Sequence, residues 1–232
     1  MLKLMKLEMR KIRIGNYIRA SMLVNVVILG IICIISLTEG MEEEGLLFAD
    51  YDNVFSVIDT LIRGTYIVFA AVLISQLVID EFRNKSITVL FMYPISRKKL
   101  IAAKLLIIVL FTLAADIVGN LFVDVGFYVL NVFASVVSEP FTWFDAAHSL
   151  LTIVMSALAT SFLSLIPLYF GMRNHSGAAT IVSSLIAVVF VCQNVDGFSM
   201  YSIIAVPISL ALLGAAVAYI SIRNIEQVDV LK

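Results

Sequence analysis

A chain of 232 residues with 61% hydrophobic side chains, only 14% charged ones and a mean hydropathy of +1.04 is not a soluble domain, which carries roughly 45–50% apolar and about 25% charged residues. The class is integral membrane protein; the formal net charge of -1 hides a strong asymmetry of charge along the chain, and no nucleic-acid partner is expected. Cys33 and Cys192 both lie inside apolar runs and read as small core side chains, not as a disulfide or metal pair.

Residues 1–16 open the chain as a basic interfacial helix. Lys3, Lys6, Arg10 and Arg13 fall on one helical stripe, and Leu2, Met5, Met9 and Ile12 fall on the adjoining one. The alternative is a frayed basic tail that acts only as a topology signal. The apolar run that follows is long and lacks a small-x-small site, so it does not read as a cleaved signal peptide.

Six segments approach the roughly 20 apolar residues a helix needs to cross about 30 Å of hydrocarbon: Tyr17 to Leu37, Ile58 to Ile79, Leu100 to Leu121, Leu150 to Phe170, Gly177 to Cys192 and Tyr201 to Ile222. None shows the period-2 alternation of a membrane strand, so the expected fold is an all-α polytopic bundle forming one transmembrane domain over residues 1–232. The fifth segment is short, and reads either as a re-entrant pair or as a tilted partner of the sixth.

Between the first two spans, residues 38–57 form an acidic loop that includes Glu42, Glu43 and Glu44 around an apolar centre, Leu46-Leu47-Phe48. Focused negative charge attracts cationic amphiphiles such as antimicrobial peptides; the plainer reading is a solvated linker kept free of basic residues by topology. Asp59 and Arg63, four apart near the outer end of the second span, can pair on one helix face, unless Arg63 snorkels outward.

The long polar insert over residues 80–99 combines a docking pattern with positive charge. Ile87, Leu90, Phe91 and Pro94 recur at i, i+3, i+4 and i+7, with Asn84, Lys85 and Thr88 on the other side, so a short helix there would carry one apolar face in the cytosol. Asn84 or Ser86 can cap it and Pro94 can end it. A partner protein or lipid headgroups must cover that face, and a simple interfacial turn is the alternative.

In the third span Asp116, Asn120 and Asp124 are spaced by four and share a face. With a helix starting near Leu100, Asp116 is expected in the outer third and Asp124 at the outer boundary, either lining an outward-opening cavity or hydrating the helix end. Ser156, Thr160 and Ser164 recur every fourth residue of the fourth span beside Ala157 and Ser161, a small-residue face suited to close helix packing more than to substrate. Pro167 and Pro207 are candidate kinks.

Enzymatic chemistry finds little support. No Gly-x-x-x-x-Gly-Lys-Ser/Thr phosphate loop occurs, so any ATP must be hydrolysed by another subunit. His175-Ser176-Gly177 lacks a nucleophile elbow and reads as a polar turn; His148 and His175 fall on opposite membrane sides, and no metal site is expected. Lysine and arginine gather before the first span, between the second and third, and after the fourth and sixth, which puts both termini in the cytoplasm.

Glu81, Ser86, Leu90, Pro94-Ile95-Ser96-Arg97, Leu100 and Lys104, taken at their spacing, resemble the coupling segment of permease subunits of type-2 ABC exporters. Lys85 stands where many relatives carry glycine. The layout is similar too, with a basic interfacial helix, six spans and a segment between the second and third that docks into the ATPase. The resemblance implies a compact bacterial permease in the cell membrane. It would pair with an identical or related second permease and with two cytoplasmic ABC ATPase subunits that hold ATP and Mg, and would export an amphiphilic peptide, antibiotic or lipid. Glu81, Ser86, Ile87, Leu90, Phe91, Pro94 and Arg97 would couple to the ATPase, and Asp116, Asn120 and Asp124 would line the substrate pathway. The rival readings are a proton-coupled secondary transporter using Asp116 or Asp124, and a non-transporting membrane scaffold or sensor.

Overall fold

The computed structural model describes residues 5, 14–39, 51–83, 97–134, 137, 143–174, 176–192, 194, 195, 198, 199 and 205–223. Helix α1 runs Ile14–Glu39 and α2 Tyr51–Ile74. A π-helical turn, Ser75–Ile79, extends α2 into the short α3, Asp80–Arg83. Helix α4 spans Arg97–Ala134, α5 Trp143–Leu163, α6 Ile166–Asn174 and α7 Gly177–Val191. A two-residue ribbon, β1 Asn194–Val195 antiparallel to β2 Phe198–Ser199, leads to α8, Ala205–Arg223.

These elements form an all-α polytopic membrane bundle. Among the described residues, four helical stretches are long and apolar enough to cross a membrane: Gly15–Ser36, Tyr51–Ile79, Lys98–Phe133 and Ala146–Asn174; the apolar helices Gly177–Val191 and Val206–Ser221 are shorter. The third stretch departs most from expectation. At 1.5 Å per residue, the 38 residues of α4 reach about 57 Å, well past the roughly 30 Å hydrocarbon core. Asn131 finishes it: its amide donates to Tyr51 Oη at 2.7 Å, and its Oδ1 accepts from the Val137 amide at 2.8 Å, tying the far end of α4 to the start of α2.

Polarity is arranged with polar residues inward. Helix α1 turns Leu23, Val26 and Ile34 outward while Ser21, Asn25 and Ser36 are buried. Lipid tails solvate leucine as well as a protein core does, so the bundle gains from burying its polar residues and from close packing. Phe69 joins three helices, edge-on to Tyr17 of α1 and stacked on Phe111 of α4 at a centroid distance of 5.9 Å. Toward the α3 end, Ile74, Val78 and Ile79 pack with Ile101, Leu105 and Leu168; toward the Tyr51 end, Ile58 and Ile62 pack with Ile28, Ile32, Val123 and Phe127.

Pro167 accounts for the interruption of the fourth stretch. Having no N–H and clashing with the preceding turn, it cannot continue α5; after a last i to i−4 bond from Ser164 at 2.9 Å the chain tightens to i to i−3 bonds from Leu165 and Leu168, both at 3.1 Å, and restarts as α6. Pro207 does not kink its helix: it lies in the first turn of α8, where the missing N–H costs nothing. Gly214 lets α8 lie against α5, since a Cβ there would overlap the Phe162 carbonyl. Helix α7 packs chiefly on α2 and α6, while Val188 and Val191 share an apolar cluster with Leu210 and Ala211 of α8. Of residues 1–16, Met5 is helical and buried against Ala103 and Ile107 of α4, and residues 14–16 begin α1; the rest of the expected interfacial helix lies outside the described residues.

Candidate functional site

Two polar constellations stand out in this apolar bundle. The first lies where α2 gives way to the insert. The π-turn, in which the Asp80 amide bonds back to Ser75 O, widens the helix by one residue and redirects the chain, a device frequent at functional sites. Just beyond it, Glu81 pairs with Lys104 of α4, and the Lys104 ammonium also donates to the Leu77 carbonyl at 3.1 Å. Lys104 is only 2% exposed. An ammonium this buried persists only with a carboxylate and a carbonyl to replace its water. The pair therefore clamps together the two stems from which residues 84–96 extend. Tyr17 of α1 donates to Gln76 in the same turn.

Of the expected coupling residues, Ser86, Ile87, Leu90, Phe91 and Pro94 lie outside the described residues, and Arg97 opens α4 with its side chain outside them as well. Glu81 faces inward onto Lys104. Sequence reasoning quoted both residues as points of family resemblance without bringing them together; their charges and their places on either side of the insert were the available signal.

The second constellation is in the middle of the bundle. Asp59 and Arg63, one turn apart on α2, form the expected ion pair. Arg63 does not snorkel outward: it is 1% exposed and also donates to Ser156 Oγ of α5 at 3.3 Å, while Ser156 donates to Asp59 Oδ1 at 2.8 Å. Asp59 lies inside the bundle, two turns into α2, because that helix begins seven residues before Ile58. Ser156 packs closely, as its size suggests, and its hydroxyl also closes an ionic bridge between two helices. One turn further along α2, Tyr66 exchanges a 2.7 Å bond with Ser21 and donates to Asn25 at 3.0 Å, both on α1. Gly119 of α4 makes room for that contact, as a Cβ would press on the Tyr66 ring.

Asp116 and Asn120 of α4 complete the cluster. Asp116 is fully buried and within electrostatic range of Arg63 and Tyr66. Neither carboxylate oxygen has a hydrogen-bond partner, nor does Oδ1 of Asn120, whose amide instead donates to the Asp116 main-chain carbonyl at 3.1 Å. Asp124, half-buried one turn on, has an unpartnered Oδ1. The helix-end reading of these acids fails, because α4 continues ten residues past Asp124. Protein encloses Asp116 on every side in this conformation.

Comparison with known proteins fits this layout. The sequence profile of the family described as "ABC-2 family transporter protein" matches residues 4–194. The chain is 38% identical over 228 residues to an uncharacterized protein of Bacillus subtilis (strain 168), YcbO, covering 98% of this chain and 100% of that protein. No solved structure matches.

Proposed function

The chain belongs to the ABC-2 transporter family and is a membrane component of an ABC transporter, and from that premise we propose that it is the permease subunit of an ATP-driven exporter of amphiphilic substrates. In this reading a cytoplasmic ABC ATPase holds the ATP and Mg, docks on the insert between α2 and α4, and drives the bundle from closed to outward-open. A second permease, identical or related, completes the translocation unit in the plasma membrane, with both termini cytoplasmic. Ser86, Ile87, Leu90, Phe91, Pro94 and Arg97 form the docking element, and Asp116, Asn120 and Asp124 the substrate path.

The buried Glu81 and Lys104 pair is the observation that carries this reading. A docking element transmits force only if its stems are fixed to the bundle, and this pair holds α3 to α4 beside a π-turn that can give. Gentle detergent purification of the tagged chain from its native cell, with mass spectrometry of what comes with it, tests the proposal. A nucleotide-binding ATPase is expected with the wild type and not with Phe91→Asp. A chain that purifies alone in both cases would refute the reading, and flux driven by a proton gradient alone would favour a secondary transporter built on Asp116.

A further inference from the structure

Four buried acceptor oxygens along one face of α4 meet no donor. Asp116 Oδ1 and Oδ2, Asn120 Oδ1 and Asp124 Oδ1 are all buried without a hydrogen-bond partner, on residues that repeat every helical turn. Asp116 is 0% and Asn120 1% exposed. A lone orphan acceptor is tolerable, but a run of them centred on a carboxylate calls for either a proton or a bound positive group.

The surrounding charges show how much. Asp59 and Arg63 neutralise each other in direct contact, with Ser156 bridging them. Tyr66 spends its hydroxyl on Ser21 and Asn25. Arg63 also lies within electrostatic range of Asp116, so Asp59, Arg63 and Asp116 together carry one net negative charge, with Asp124 one step further along the same face. A bound water would satisfy oxygens and leave the charge. A divalent ion asks for six or more oxygens and more than one carboxylate, and no group of three or more His, Cys, Asp or Glu gathers among the described residues.

We propose that Asp116 and Asn120 form a binding site for a single monovalent positive group, a free alkali cation or the ammonium of a cargo molecule, with Asp124 the next step along the same helix face. The carboxylate supplies the charge and the Asn120 amide oxygen a neutral ligand. The Asn120 amide bond to the Asp116 carbonyl holds that oxygen in place. This assignment shares residues with the transport reading yet stands on packing alone, since binding at equilibrium needs neither ATPase nor turnover.

The test is the thermal unfolding midpoint of the purified full chain in nanodiscs, at fixed pH and ionic strength, as choline chloride is replaced by sodium, potassium or ethylammonium chloride. Saturable stabilisation by sodium or potassium identifies a free cation, and stabilisation by ethylammonium alone identifies a cargo amine; either supports the site. Asp116→Asn should abolish the response, and Asn120→Ala should weaken apparent affinity about tenfold or more, the worth of one contact to a charged group. If Asp116→Asn does not fold, retention of radiolabelled sodium by wild type against Asn120→Ala decides. Midpoints that ignore every cation, that persist unchanged in Asp116→Asn, or that follow pH alone and so mark a protonated carboxyl, would overturn the proposal.

Discussion

Replacing Lys104 by methionine leaves a chain of nearly equal volume and removes one charge from a pair whose side chains are 2% and 14% exposed. The Glu81 carboxylate then remains in a largely dry environment with its cation gone, and the Leu77 carbonyl loses a donor. Breaking a buried ion pair from one side costs about 3–5 kcal/mol, and the partial exposure of Glu81 places this case near the lower end, about 3 kcal/mol. Glu81→Gln strands the ammonium instead, with a similar loss. The double variant removes both charges together and should lose only about 1 kcal/mol, because no buried charge is left uncompensated. A double-mutant cycle read from unfolding in mixed micelles therefore predicts a coupling of about 5 kcal/mol, the two single losses of about 3 kcal/mol each set against a double-variant loss of about 1 kcal/mol. Two single losses that simply add would show that Glu81 and Lys104 do not act as a pair and would remove the clamp from the account.

Further expectations follow from the bundle interior. Ser156→Ala leaves both Asp59 and Arg63 short of a buried partner and should cost about 1–3 kcal/mol in the same unfolding assay, whereas Ser161→Ala, whose hydroxyl only bonds back to Leu158, should cost less than about 1 kcal/mol. Gly214→Val drives side-chain carbon into the Phe162 backbone and should separate α8 from α5, visible as faster proteolysis within α8, while Gly30→Ala, open on all sides, should leave the pattern unchanged. Asp116→Asn should lower export at matched expression while leaving the ATPase bound; unchanged export would take Asp116 out of the substrate path.

What the sequence disclosed follows from how far each signal reaches. Apolar runs locate spans because a bilayer demands them, and Pro167 marks a break because its ring forbids helix continuation; both are local. The end of α4 was misplaced at Leu121 because Asp124 and Asn131 dilute the apolar run, and only tertiary partners such as Tyr51 and Val137 show why the helix persists. The π-turn has no composition signature. Ser156 was read correctly as a small packing residue, but its part in an ionic bridge depends on a residue 97 positions away and is invisible to periodicity. The paired charges Glu81 and Lys104 were both in view; a distance was missing.

The central claim, that force from an ATPase enters through the insert between α2 and α4, is most directly tested by ATP hydrolysis in proteoliposomes. The ATPase that accompanies the chain would be assayed with wild type, Phe91→Leu or Phe91→Asp. Hydrolysis stimulated by wild type and Phe91→Leu but returned to the level of the isolated ATPase by Phe91→Asp is the predicted result. Equal stimulation by all three chains would contradict it.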